Sequence, residues 1–443
     1  MKIQNALIRD FSDFSQGDIQ HLPEEQIEPL QVELINKHLD YAVQKSVFYK
    51  TFYADQNIQK PKINNLSDLA LLPATTKDHL IQFNNDFLAA PQDEIVDVCL
   101  TSATSGEKPA MLLQTSEDLA RLAYNEEIAF KMTGLNEKDT LLVCAALDRA
   151  FMAGLAYFLG GVKIKSKVVR GGSGSAAQLW QLIKVTKATA IVGVPSLMRK
   201  IAEYGIESGE DPQKIGVKKL IAIGEPIRDE QLELLPLAAK LEEMWEAKLF
   251  STYASTELAA TYCECPERKG GHLRPEMIVT EIVDDHDQPL PDGQKGEVVV
   301  TPLGVTGMPL VRFKTGDISF IIKEKCACGR TTKRLGPILG RKHQMLKFKG
   351  TTIFPNSVIS ALEGSKYYDC GYVEAQKNED GTDHVILHIA VNSSVDCRVI
   401  EEDLRAKVRV VPEISIEPKN TVEKVVFQPD KKRKRVIFVD SRN

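Results

Sequence analysis

No run of apolar residues in this chain approaches the roughly 18–20 that a membrane-spanning helix requires, so no such helix is expected. The opening stretch, MKIQNALIRDFSDF, brings acids early and has no long apolar core, so it does not read as a secretory leader. Excess charge is also scarce. Lys and Arg total 56 against 61 Asp and Glu, a net charge of −5, which implies no general affinity for nucleic acid. Eight cysteines in 443 residues, with no secretion signal, are expected as reduced thiols or metal ligands and not as a disulfide framework. Internal repeats and low-complexity segments are absent. These absences point to a cytoplasmic protein that binds neither nucleic acid nor membrane.

What is present is an ordinary globular balance, 43% hydrophobic and 26% charged, in a chain long enough for a large core and two domains. Residues 24–56 read as helical. Leu119, Leu122, Ala123, Ile128, Ala129 and Met132 recur near the helical period over 116–133, with Thr115 or Ser116 as the cap and Glu117 and Asp118 at the positive end. Ala188 to Val194 and Lys219 to Ile223 read as buried strands, and Pro195-Ser196 opens a helix. From about residue 278 strands dominate: MIVTEIV, GEVVVTP and the alternation Ile318 to Ile322, with a turn at Pro291-Asp292-Gly293. The expected fold class is α/β. A large N-terminal domain over residues 1–340 has β-sheets flanked by helices, and a small α+β C-terminal domain over 341–443 has strands at VILHIAV and VVFQP.

The most informative loop runs Thr101-Ser102-Ala103-Thr104-Ser105-Gly106-Glu107-Lys108-Pro109. Its hydroxyls and free N–H groups suit phosphate oxygens, and Lys108 adds a point charge. The Walker A spacing is missing, since no glycine lies five residues before Gly106, and a plain polar turn would have the same composition. Four further stretches follow in order: Gly224-Glu225-Pro226; Tyr253-Ala254-Ser255-Thr256-Glu257; Arg312-Phe313-Lys314-Thr315-Gly316-Asp317; and Gly340-Arg341 with Lys347 and Gly350 beyond. Together with YAVQKSVFY at Tyr41 to Tyr49, LPATTK at Leu72 to Lys77 and the basic end, this order resembles the adenylate-forming superfamily. The phenylacetate–CoA ligases are its most similar members, and the resemblance covers nearly the whole chain.

That resemblance implies an ATP-dependent, AMP-forming carboxylic acid–CoA ligase using Mg²⁺ and coenzyme A, with an aromatic acid such as phenylacetate as substrate. It assigns Ser102, Thr104, Ser105, Gly106 and Lys108 to the β- and γ-phosphates. Gly224, Glu225 and Pro226 line the adenine pocket, and Tyr253 stacks on the base. Thr256 contacts the α-phosphate, Glu257 ligates Mg²⁺, and Asp317 accepts hydrogen bonds from the ribose with Arg341 nearby. The C-terminal domain is expected to move about a hinge after Gly340-Arg341 and to carry the adenylation lysine, Lys432, with Lys431 the runner-up. The chain departs from the family at Ala103, where glycine is usual, at the additional Glu107, and at the hinge, where His343-Gln344 replaces Asp-Asp. Each residue also has a plainer reading: Tyr253 as a core aromatic, Glu257 as a helix N-terminal acid, Gly316-Asp317 as a turn, Arg341 as a surface charge, and Lys431 to Arg435 as a solvated turn or a localisation patch.

Two thiol-bearing segments, Cys263-Glu264-Cys265 and Cys326-Ala327-Cys328-Gly329, together with His272 offer up to five ligands for a four-coordinate zinc. The Cys-Pro and His positions resemble those of some phenylacetate–CoA ligase relatives. This favours Cys265, His272, Cys326 and Cys328 around a structural zinc, with Cys263 in reserve; unpaired reduced thiols are the alternative. Cys99, Cys144, Cys370 and Cys397 are expected in the core. Phe151, Met152, Tyr157 and Phe158, and Val194-Pro195, either line the acyl pocket or form a core helix and strand end. Two other functions fit the same residues: adenylation with an amine, a carrier thiol or a protein cysteine as acceptor, and non-catalytic nucleotide binding. The oligomeric state stays open, a homodimer included.

Overall fold

The structure is a computed structural model that describes residues 19–101, 109–348, 351–378, 383–392, 395–408, 410–428 and 435–442. The chain forms two compact units. Within the described residues, the first takes 19–226, Met244–Thr315 and Ser319–Pro337; the second takes Ile227–Glu243, Gly316–Ile318 and 338–442.

The first unit opens with two helices, Glu24–Lys45 and Val47–Asp55. The stretch 24–56, read as helical, is divided at Ser46, which ends one helix and caps the next. Its backbone is extended, its hydroxyl accepts from Tyr49 N at 3.5 Å and donates to Asp86 O at 2.8 Å. Strands β1 (Ile95–Leu100) and β2 (Met111–Thr115) then form an antiparallel hairpin, closed at its end by Thr101 N donating to Ala110 O at 2.9 Å. The loop between them holds the phosphate-loop candidates Ser102, Thr104, Ser105, Gly106 and Lys108, which lie outside the described residues.

Five strands next build a parallel array: β3 (Thr140–Val143), β4 (Lys167–Arg170), β5 (Ala190–Gly193), β6 (Lys219–Ala222) and β7 (Lys248–Ala254). They lie in the order β4-β3-β5-β6-β7. Leu141, Leu142, Ile191, Val192 and Leu220 are fully buried, the continuous apolar signature of parallel strands covered on both faces. Helices supply that cover. The Ser116–Met132 and Met152–Lys163 helices approach so closely that a Cβ on Gly160 would collide with the Cβ of Glu126. The strand order reverses direction at β3 and β5, a switch point of the kind where open α/β sheets take ligands at their carboxyl edge.

The array continues with antiparallel partners. β8 (Thr261–Glu264) returns along β7, and β9 (Gly271–His272) pairs with β8. β10 (Ile278–Val283) and β11 (Gly296–Pro302) pair antiparallel, with Gly293 in the connecting turn at φ +87°, a conformation that costs glycine little. β12 (Phe313–Ser319) runs from the first unit into the second, and β13 (Ile321–Ile322) is a separate short strand, so the alternation over 318–322 belongs to two elements. β14 (Arg334–Leu335) pairs with both β13 and β9, completing a nine-stranded sheet.

In the second unit β15 (Gly340–Arg341) pairs with Asp317 and Ile318, and β16 (Leu346–Phe348) with β17 (Thr351–Ile353). Four strands, β18 (Tyr368–Lys377), β19 (Asp383–Val391), β20 (Glu413–Ile416) and β21 (Phe438–Ser441), form a mixed sheet in the order β20-β19-β18-β21. Its core joins Val373, Val385, Leu387 and Ile389 to Val358, Ile400 and Leu404 of the helices Pro355–Leu362 and Cys397–Val408. The strand expected at VVFQP is corrected: Val425 and Val426 end the helix Lys419–Val426, where Val422 and Val426 bury one helical turn apart against Tyr372 and Ala390. Cys397, expected in the core, is exposed at a helix start; Cys99, Cys144 and Cys370 are buried. Among the described residues no helix is long and apolar enough to cross a membrane. Lys431 and Lys432 lie outside the described residues.

Candidate active site and metal centre

The carboxyl ends of β5, β6 and β7 stand side by side, with Gly193 opposite Ala222 and Ala222 opposite Ser251. Three of the sequence stretches therefore share one edge: Val194-Pro195 after β5, Gly224-Glu225-Pro226 after β6, and Tyr253 to Glu257 at the end of β7. Gly224 turns the chain at φ +69° and is exposed. The Glu225 carboxylate accepts from Ser196 N at 2.9 Å and from its hydroxyl at 2.6 Å, tying the turn to the N-terminus of the Pro195–Glu207 helix. Tyr253 is half-buried, stacked on Tyr262 with centroids 5.7 Å apart and planes at 18°. Thr256 and Glu257, also half-buried, lie in the six-residue loop joining β7 to β8, which closes on itself through Ala259 N to Ser255 O at 3.3 Å.

A buried polar face of the Ser116–Met132 helix grips this loop, and the apolar periodicity gave no sign of it. Arg121, almost fully buried, donates to Leu303 O at 2.7 Å, to Met277 O at 2.6 Å and to Ala259 O. Asn125 accepts from Thr261 N at 3.0 Å, and the Thr261 hydroxyl donates to Glu126 at 2.5 Å. Asp118 holds Thr306 N and Gly307 N, both at 2.8 Å. Burial pulls Arg121 down to about 10, still a cation at neutral pH, while Asp118 and Glu276 oppose that shift. Burial pushes the Glu126 carboxyl up to about 7 against the pull of its Thr261 hydrogen bond. The signal in the sequence was the spacing of Asp118, Arg121 and Asn125, three and four residues apart on one face. At the entry to β12, Arg312 is likewise buried. It pairs with both oxygens of Glu281, at 3.1 and 3.0 Å, and donates to Asp287 O at 2.9 Å.

In the second unit, Asp317 is buried on β12 directly opposite Arg341 on β15, with Arg341 Nε 3.4 Å from its carboxylate. The two residues placed near the ribose are thus neighbours in a strand ladder.

Cys265, His272, Cys326 and Cys328 converge, with one donor atom from each within 4.8 Å of all the others. Cys265 Sγ stands 3.5 Å from Cys326 Sγ, and Cys328 Sγ 3.4 Å from His272 Nε2. Tetrahedral zinc, with bonds of about 2.3 Å to sulfur and 2.0–2.1 Å to nitrogen, sets its donors about 3.6–3.8 Å apart, so these four fit. His272 Nδ1 lies 3.0 Å from the Thr332 hydroxyl and 3.3 Å from its carbonyl, which aims Nε2 at the thiols. Burial, with Arg330 and Arg334 nearby, lowers His272 to about 3, so the ring is neutral, as a ligand must be. Burial pushes the Cys265 thiol up to about 12. Cys263 stays outside the group; it is buried on β8 with its sulfur 3.4 Å from Glu264 O.

Gly224-Glu225-Pro226 and Tyr253 to Glu257 thus stand together at the carboxyl edge of a parallel sheet, where open α/β folds take ligands. Residues 27–308, well over half of the chain, match the family described as AMP-binding enzyme. The chain belongs to that family, and within it is phenylacetate–CoA ligase-like. It is 28% identical over 353 residues to the phenylacetate–coenzyme A ligase of Thermus thermophilus, covering 78% of this chain and 77% of that one. The Pseudomonas putida phenylacetate–coenzyme A ligase is 26% identical over 386 residues, covering 85% and 84%. In fold, the chain is similar to a 2-hydroxyisobutyryl-CoA ligase solved in the postadenylation state with an acyl-AMP. The TM-score is 0.84 at 21% identity, over 96% of this chain and 91% of that one.

Proposed function

We propose that this chain is an ATP-dependent, AMP-forming acid–CoA ligase acting on an aromatic carboxylic acid such as phenylacetate. The observation that carries the reading is the convergence of Gly224–Pro226 and Tyr253–Glu257 on adjacent parallel strand ends within the segment that matches the family. A carboxylate is a poor electrophile. Its oxygen attacks the α-phosphorus of ATP, pyrophosphate leaves, and the resulting acyl-adenylate carries a good leaving group. The thiol of coenzyme A then attacks the acyl carbon and AMP leaves. The first step brings an anion to a polyanion, so positive charge and oriented donors are needed where charge develops.

In this reading Gly224, Glu225 and Pro226 border the adenine, Tyr253 presents a ring face to it, and Thr256 donates to the α-phosphate. Glu257 would hold Mg²⁺, which neutralises phosphate charge when bound; a half-buried carboxylate in a self-closed loop suits a hard cation. Ser102, Thr104, Ser105, Gly106 and Lys108 take the outer phosphates, and Asp317 with Arg341 the ribose. Residues 341–443 act as the mobile domain and carry Lys432, with the boundary near residue 340. Cys265, His272, Cys326 and Cys328 hold a structural zinc, since four protein donors leave no open position. The deciding experiment is release of AMP with a panel of carboxylic acids, with and without coenzyme A. AMP release that requires both an aromatic acid and the thiol supports the ligase. Pyrophosphate exchange with an AMP release that coenzyme A does not stimulate points to another acceptor, and no exchange at all to a binding protein.

Asp317 supplies a sharper test. A carboxylate accepts from both vicinal ribose hydroxyls, and removing one such charged hydrogen bond costs about 1.5–3 kcal/mol. Asp317→Ala is expected to weaken ATP use and to narrow the preference for ATP over 2′-deoxy-ATP by about tenfold or more. If Asp317 only fixes the ladder with Arg341, the variant loses stability while the nucleotide ratio is unchanged. Rates with both nucleotides, at saturating acid and coenzyme A, separate the two.

A further inference from the structure

We infer that Arg121 is a positioning residue for the loop of Thr256 and Glu257, acting from the buried polar face of the Ser116–Met132 helix. The inference rests on the ligase reading for what the loop does, and on geometry for how the loop is held.

The loop enters from β7 and leaves into β8, and both ends are registered by the pair Ala254 and Thr261. Between them Ala259 adopts φ +46°, a left-handed conformation unfavourable for a residue with a Cβ, and so must be held there by its surroundings. The carbonyl of Ala259 accepts from Arg121 Nη1, and the same guanidinium holds Leu303 O at 2.7 Å and Met277 O at 2.6 Å. One planar cation thus ties the loop to the residues just before β10 and just after β11. Its fork fixes direction as well as distance, which a lysine ammonium does not. One turn further along the helix, Asn125 accepts from Thr261 N at 3.0 Å and donates to the Thr261 hydroxyl at 3.1 Å. The loop is therefore held at two successive points, two and four residues after Glu257. Glu257 itself has no such grip from this helix; its placement follows from that of Ala259.

A carboxylate that must meet a cation and a phosphate together is sensitive to its backbone, and a misplacement of about 1 Å costs up to a hundredfold. Arg121→Met is expected to raise the Mg²⁺ concentration for half-maximal ATP–pyrophosphate exchange by about tenfold or more, with Arg121→Lys in between. Leu122→Ala, which removes a buried apolar side chain from the same helix, is the control. It should lower the melting temperature comparably while leaving the Mg²⁺ profile unchanged. Glu257→Gln gives the reference shift for loss of the cation ligand. Amide hydrogen exchange at Leu258, Ala259 and Thr261, faster in Arg121→Met than in Leu122→Ala, reads loop restraint without turnover. A folded Arg121→Met with the wild-type Mg²⁺ profile and unchanged exchange at these amides overturns the inference. So does a Leu122→Ala variant that reproduces both effects. Wild-type protein that catalyses no pyrophosphate exchange with any acid overturns the ligase reading instead, and amide exchange still decides whether Arg121 holds the loop.

Discussion

Lys432→Ala is expected to suppress acyl-adenylate formation by about 10²–10³, the loss seen when one electrostatic stabiliser is removed from a transition state. Reaction of a supplied acyl-adenylate with coenzyme A should be little changed. The lysine charge is needed where a carboxylate approaches a phosphate, and that encounter occurs only in the first half-reaction. The assignment comes from the basic run Lys431-Lys432-Arg433-Lys434-Arg435 ahead of Val436-Ile437. Pyrophosphate exchange measures the first half-reaction, and thioester formation from synthetic adenylate measures the second. Equal loss in both would count against Lys432 as an adenylation lysine. Normal adenylation in Lys432→Ala with loss in Lys431→Ala would transfer the role to its neighbour.

Stripping the metal should produce the largest effect on stability. One tightly bound zinc per chain is expected on Cys265, His272, Cys326 and Cys328, whose segments lie about sixty residues apart in sequence and meet beside β9 and β14. A chelator able to compete for it should lower the melting temperature by roughly 5–10 °C, because binding free energy in such a site is folding free energy. Molecules that remain folded should still adenylate, since no position on the metal is open to substrate. Cys265→Ser is expected to lose zinc and Cys263→Ser to retain it, since only Cys265 points its sulfur among the other three donors. Metal analysis of protein purified without chelator checks the stoichiometry, and a zinc-free, equally stable preparation would refute the site.

Local chemistry made much of the chain legible. The apolar runs Ala188–Val194 and Lys219–Ile223 read as buried strands alternating with helices, and so the α/β class followed. Thr115 or Ser116 marked the start of its helix; the structure makes Thr115 the cap, with its N–H donating to the Asp118 carboxylate at 3.0 Å. The misreadings also have local causes. Val425-Val426-Phe427 is apolar enough for a strand, but the residues that bury are Val422 and Val426, at a helical spacing. Ser46 breaks a long helical pattern because its hydroxyl can satisfy the next helix, a choice that composition does not reveal.

The sequence by itself determined the order of the candidate site stretches, the alternation of strands and helices and the supply of thiol and imidazole donors. These depend on residue type and short-range period, which every chain carries in one dimension. Only the tertiary structure decided which side chains meet. It chose Cys265 over Cys263, because β8 ends at Glu264 and the chain turns there towards Cys326. It used the Glu225 carboxylate to hold a helix N-terminus. It buried Arg121, Asn125 and Glu126, which a helical wheel places on a polar face, because backbone groups and a hydroxyl from segments more than a hundred residues away supply their partners. A buried polar group is tolerable only when those partners arrive, and their arrival depends on contacts between distant segments.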